Sequence, residues 1–130
     1  MIDICSKLKE YKTVAVVGIS HNPRRASRQI ADYLDAVGYN VVGVNPGIKK
    51  AGDIEVYPNL CDIPFKVDIV DVFRRSEHIM DLMPDVLKIK PNLLWLQLGI
   101  INDEAVKLAS ESGIPSVQNK CILVEHRNCD

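Results

Sequence analysis

The sequence predicts an α/β domain on a mostly parallel, doubly wound sheet with helices on both faces. Apolar runs of strand length recur at 13–17, 41–45, 68–73 and 93–98. Runs that are apolar without alternation belong to strands covered on both faces, as in parallel sheets. Segments with apolar residues at helical spacing separate most of them, the βαβ pattern of parallel pairing. No linker, repeat or low-complexity stretch interrupts the alternation, so residues 1–130 read as one three-layer domain.

Each element has a local reason. A short amphipathic segment carrying Ile2, Leu8 and Tyr11 precedes the first strand, Thr13-Val14-Ala15-Val16-Val17. The next helix runs from about Ser27 to Val37, with Ile30, Ala31, Leu34 and Val37 on one face and Gly38 as its stop. Val41 to Asn45 is a second buried strand, and Glu55-Val56-Tyr57 reads as a short edge strand before a turn of helix around Leu60 to Ile63. After the strand 68–73, Ser76 is the expected N-cap of a helix to about Ile89, and Pro84 predicts a kink or a split into two short helices. Leu93 to Leu98 forms the next strand. Asn102 then caps a helix with Asp103 and Glu104 in its first turn, favourable at the positive end of the helix dipole, and Gly113 stops it. Ser116-Val117-Gln118 and a strand over Cys121 to Val124 complete the pattern. Right-handed crossovers turn this order into a Rossmann-like sandwich.

Composition narrows the function. Hydrophobic residues make up 47% and charged residues 25%, a globular balance. Sixteen Lys and Arg against seventeen Asp and Glu leave a net charge of -1, without the basic excess of a nucleic-acid binder. No apolar stretch has the length of a membrane span and Met1 to Glu10 lacks a signal-peptide apolar core, so the expectation is a cytoplasmic protein with no membrane partner. Cys5, Cys61, Cys121 and Cys129 have no CxxC spacing and are expected as free thiols. Cys121, His126 and Cys129 lack a fourth ligand, and no metal site is predicted.

In a doubly wound sheet the ligand sits outside the carboxyl ends of the strands. Those ends here are Gly18-Ile19-Ser20, Asn45-Pro46-Gly47, Phe73-Arg74-Arg75, Gln97-Leu98-Gly99 and Asn119-Lys120-Cys121. Nearly all carry a hydrogen-bonding group, a cation or a glycine. The first turn occupies the place of a dinucleotide fingerprint, but of its glycines only Gly18 is present, with Ser20 and Pro23 in the other two positions. The helix start behind it, with Arg25 and Ser27, suits a phosphate. The second strand ends in Asn45 where an NAD site wants an acid, and Lys49 and Lys50 follow, placed to meet a phosphorylated ribose. Coenzyme A and NADP both fit that description. Phe73 offers an apolar wall, Arg74 a cation, and Gly99 room for a close backbone approach. His21, His78 and His126 have no nucleophile or acid partner in sequence, so no catalytic group is assigned.

Taken together, Val17-Gly18-Ile19-Ser20 with Pro23, Arg25 and Ser27, then Val44-Asn45-Pro46, Val72-Phe73-Arg74, Trp95 to Gly99, and Cys121 with Glu125-His126 resemble the single-domain CoA-binding protein family. That family is similar to the CoA-binding domain of the succinyl-CoA synthetase alpha subunit. The resemblance implies that pyrophosphate lies against Gly18, Ile19 and Ser20 and the Arg25–Ser27 helix start. It places the adenosine end by Val44, Asn45 and Pro46, the 3′-phosphate near Lys49, and pantetheine past Phe73, Arg74 and Gly99. Asn119-Lys120 stands where the family often has Asp-Arg, and no phosphohistidine domain of the ligases is present. The expectation is therefore a non-catalytic module, sensor or subunit for CoA or an acyl-CoA, with a protein partner or homo-oligomer left open. The alternative is an NADP-dependent or other nucleotide-using enzyme.

Overall fold

The structure is a computed structural model that describes residues 3–129. Seven strands form one sheet: β1 (Thr13–Val17), β2 (Asn40–Val44), β3 (Lys50–Ala51), β4 (Ile54–Tyr57), β5 (Ile69–Val72), β6 (Leu93–Leu96) and β7 (Ser116–Val117). Their spatial order is β3-β4-β2-β1-β5-β6-β7, and every pair is parallel except β3 with β4. The six parallel strands thus follow the doubly wound order, which reverses direction between β1 and β5.

Two apolar layers explain why β1, β5 and β6 are buried on both sides. Helices α1 (Ile4–Glu10), α2 (Ala26–Ala36) and α5 (Ile122–Arg127) cover one face, contributing Leu8, Ile30, Ala31, Leu34 and Ile122. Helices α3 (Ile79–Ile89) and α4 (Asp103–Glu111) cover the other with Ile79, Leu82, Met83, Val86, Ala105 and Ala109. At the amino ends of the strands, Asp68 accepts from the amides of Lys12 and Thr13 at 3.0 and 3.1 Å and from Asn92 Nδ2 at 2.9 Å, tying three connections together. Asn102 caps α4 as its sequence predicts, accepting from the Ala105 amide at 2.9 Å.

Several expectations need correction. Cys121 to Val124 is not a strand: Ile122 to Arg127 is helix α5. A short apolar run does not distinguish the two by itself, and here Gln97 decides it by accepting from the Ile122 amide at 3.1 Å as the chain turns into the helix. The segment 54–57 is not an edge strand, because β3 pairs outside it through a two-residue Gly52-Asp53 turn, with Lys50 and Glu55 ion-paired at 2.9 Å. Pro84 lies inside an unbroken α3, at an exposed position of the helix. The irregularity instead precedes the helix, as a 3-10 turn over Ser76–His78, and Ser76 is not its capping residue. Ile2 of the amphipathic start lies outside the described residues.

The cysteine expectation is also overturned. Cys5 and Cys129 form a disulfide with Cα atoms 5.6 Å apart, leaving Cys61 and Cys121 free. Their sequence separation of 124 hid the pairing. The fold creates it by laying α1 against α5, while Tyr33 on α2 meets His126 Nδ1 at 2.7 Å and the Tyr39 hydroxyl donates to the Leu8 carbonyl.

Candidate functional site

The carboxyl ends of β1, β2 and β5 enclose a crevice in two sections, of about 360 and 350 Å³, that share Gly18, Asn45 and Phe73. Each section is within the size range of small-molecule sites. The first runs along the β1–α2 loop and is lined by Ile19, Ser20, His21, Arg25, Ala26 and Ser27 besides the shared residues. The second lies over Val17 and Val44 and adds Pro46, Arg74, Arg75 and His78.

Gly18 is the pivot between them. Its φ of +86° is one that side-chain-bearing residues avoid, and an added Cβ would collide with the Phe73 carbonyl oxygen. Its amide donates to the Val44 carbonyl at 2.9 Å, so β2, β1 and β5 meet at this residue. No other residue type fits both the backbone conformation and the space.

The loop after Gly18 is built by its own polar side chains. The Ser20 amide donates to Ser27 Oγ at 3.0 Å, the Asn22 amide to Ser20 Oγ at 3.0 Å, and the Arg24 amide to Asn22 Oδ1 at 3.0 Å. Because both serine oxygens accept, each hydroxyl proton remains available to donate outward. Arg28 fastens the loop from below, donating to the His21 carbonyl at 2.8 Å while its Nε pairs with Asp32 at 3.0 Å. Asn45 joins this loop to the next strand: Nδ2 donates to the Ile19 carbonyl at 2.9 Å and Oδ1 accepts from the Gly47 amide at 2.8 Å. Asn45 thus holds two strand ends in register, a role its position alone does not reveal.

Helix α2 opens onto the first section with Arg25 at its cap position and no side-chain cap. The amides of Arg28 and Gln29 donate to the Arg25 carbonyl, which leaves those of Ala26 and Ser27, both in the crevice lining, uncapped at the positive end of the helix dipole. The lining of both sections includes Arg25, Arg74 and Arg75 but no carboxylate, in a chain whose net charge is -1. This concentration of positive charge suits an anionic ligand.

Of the residues selected from sequence, Gly18, Ile19, Ser20, Arg25, Ser27, Val44, Asn45, Pro46, Phe73 and Arg74 all border this crevice. Ile19 does so as a fully buried core residue. Lys49 and Gly99 do not border it. Lys49 is exposed beyond the β2 end, and its neighbour Lys50 is held by Glu55. Gly99 has φ +86°, but an added Cβ would meet nothing, so the backbone conformation requires glycine there and not a close approach. Its amide donates to Asn119 Oδ1 at 2.8 Å.

Asp71 was missed in the sequence. It is fully buried at the centre of β5, between Val16 and Trp95 on the neighbouring strands, and neither carboxylate oxygen has a hydrogen-bond partner. Burial raises its pKa well above the ordinary carboxylate range. The signal was an acid inside an otherwise apolar run. Trp95 is a packing residue, fully buried, with Nε1 donating to the Lys120 carbonyl at 2.8 Å.

Comparison with known proteins gives this architecture a family. Residues 12–127 match the model of the CoA binding domain. The chain belongs to that family. It is 34% identical over 119 residues to YneT of Bacillus subtilis (strain 168), covering 92% of this chain and 88% of that protein. A solved structure from Thermus thermophilus, cell-free ID.343, is 40% identical with a TM-score of 0.91, covering 94% of this chain and 92% of that one. Acetyl-coenzyme A synthetase 1 of Ca. Korarchaeum cryptofilum shares the fold at a TM-score of 0.78 and 24% identity, over 88% of this chain and 27% of its own. No described helix is long and apolar enough to cross a membrane.

Proposed function

We propose that the protein binds coenzyme A or an acyl-CoA in this crevice and acts as a binding module, sensor or subunit without catalysis of its own. The observation that carries the reading is the preorganised β1–α2 loop: a glycine pivot, an uncapped helix start, the hydroxyls of Ser20 and Ser27, and Arg25, in a lining free of carboxylates. These are the donors a pyrophosphate needs. Val44, Asn45 and Pro46 then form the floor for the adenosine end, and Lys49 reaches the 3′-phosphate from outside the crevice proper. The pantetheine arm runs past Phe73 and Arg74 toward Gly99.

Thermal unfolding with CoA, dephospho-CoA, NAD and NADP tests the proposal. A ligand present at a hundred times its dissociation constant stabilises by about 2.7 kcal/mol. CoA should raise the midpoint most and dephospho-CoA less. A shift with NADP but none with CoA would overturn the reading in favour of a nucleotide-using enzyme.

A further inference from the structure

Leu98 and Ile101 are 68% and 47% exposed, and they flank Gly99 in the loop after β6. This loop is rigidly made. The Ile100 amide donates to the Gln97 carbonyl at 2.9 Å, the Gly99 amide to Asn119 Oδ1, and the Ile101 amide to Ser76 Oγ at 3.0 Å. Asn102 adds bonds from its amide to Gln118 Oε1 and from Nδ2 to the Ser76 carbonyl, each 3.0 Å. Polar groups from two other segments, Ser76 and Gln118-Asn119, thus fix a loop whose exposed side chains include Leu98 and Ile101.

Its position continues the crevice. Ser76, which holds the loop, lies between Arg75 and His78, both lining the second section. Strand β6 ends at Leu96, which shares the apolar layer of Val17 and Val44, the layer over which that section opens, and the loop carrying Leu98 and Ile101 follows directly. In the sheet order β6 is two strands from β1, about 10 Å at a spacing of about 4.8 Å. A pantetheine arm has the reach of an extended peptide of about four residues, roughly 14 Å. An arm that starts at Gly18 and follows the strand ends therefore delivers its sulfur to this loop.

We propose that the crevice takes an acyl thioester of coenzyme A with an apolar acyl chain, and that Leu98 and Ile101 are the surface on which the chain lies. The proposal rests on the CoA reading above and names its ligand class. Full burial of a methylene strengthens binding about fourfold, and contact on one side about twofold. Calorimetric titration with CoA, acetyl-CoA, butyryl-CoA and hexanoyl-CoA tests it, on the wild-type protein and on a Leu98→Ser/Ile101→Ser variant. Hexanoyl-CoA should bind the wild type about fourfold more tightly than butyryl-CoA, and the variant should lose that dependence while keeping its affinity for CoA. Both residues are exposed, and the variant's thermal midpoint checks its folding.

CoA binding with no dependence on chain length overturns the acyl proposal alone, as does a dependence that persists in the variant. A wild-type dimer that dissociates on the double substitution, again without chain-length dependence, assigns the pair to a second copy of the chain and overturns it too. Failure of every ligand, CoA included, overturns both this proposal and the reading beneath it.

Discussion

Replacing Cys5 and Cys129 by serine removes a covalent link that closes nearly the whole chain into a ring. With a sequence separation of 124, the loop-closure entropy returned to the unfolded chain amounts to about 5 kcal/mol at room temperature. Removing native bridges costs about 2–5 kcal/mol in practice. For a chain of 130 residues the unfolding entropy is about 0.27 kcal/mol per kelvin, so the midpoint should fall by roughly 7–18 °C. The assay is thermal unfolding followed by far-ultraviolet circular dichroism, for the wild type with and without a dithiol reductant and for the double serine variant. Reduced wild type and variant should coincide below the oxidised protein. Helix α1 contributes only Leu8 to the core, so the loosened chain can also release α1 before the sheet melts. Urea unfolding detects that release as a smaller slope against denaturant, since less surface remains to be exposed. A fall of under about 3 °C, with an unchanged urea slope, would refute the reasoning and mean that the packing of α1 on α5 holds without the bridge.

Gly18→Ala imposes a side chain on a left-handed backbone and drives it into the Phe73 carbonyl; a loss of at least about 2 kcal/mol is expected by denaturant titration, and unchanged stability would contradict the glycine pivot. For Asp71, burial raises the folded pKa well above the ordinary carboxylate range, so the folded state keeps its proton to higher pH than the unfolded state does. Stability therefore falls as pH climbs from the unfolded value through the folded one. Asp71→Asn should abolish this slope, opening a stability gap of about 1.4 kcal/mol per pH unit over that window; parallel pH profiles for the two proteins would show that the carboxyl finds a partner. Arg25→Ala should weaken CoA binding by about 1.5–3 kcal/mol in calorimetry as a charge-assisted donor is lost, while Arg24→Ala, outside the crevice lining, should change it by less than about 0.5 kcal/mol. Equal effects would return Arg25 to the role of a solvated surface charge.

The fold was legible where burial is two-sided. The runs beginning at Thr13, Asn40, Ile69 and Leu93 sit in the sheet with apolar layers above and below, as short apolar runs alternating with helical patterns suggest. The crevice was legible because the doubly wound order places every βα turn at one edge. What stayed hidden depends on contacts distant in sequence. Gln97 captures Ile122 across 25 positions and turns an apolar run into α5, and the docking of α1 on α5 brings Cys5 to Cys129. The two-residue β3 has a local signal in Gly52-Asp53, a turn suited to a hairpin, but the polar Lys49-Lys50 before it lacks the apolar pattern of a strand. Asn45 is a further case: its place at the end of β2 was legible, but its use as a tie to the Ile19 carbonyl depends on the neighbouring strand.

The self-bonded loop from Ser20 to Arg28 has a kinetic consequence. The amides of Ser20, Asn22 and Arg24 are already committed to Ser27, Ser20 and Asn22, and Arg28 secures the loop to the His21 carbonyl, so the ordering cost falls on folding and not on association. An incoming anion meets a finished surface. The encounter rate is then governed by diffusion and by the field of Arg25, Arg74 and Arg75, which salt weakens. Observed rates should rise linearly with ligand concentration, without the plateau that a slow loop closure imposes, and residence time becomes the quantity through which ligands are distinguished.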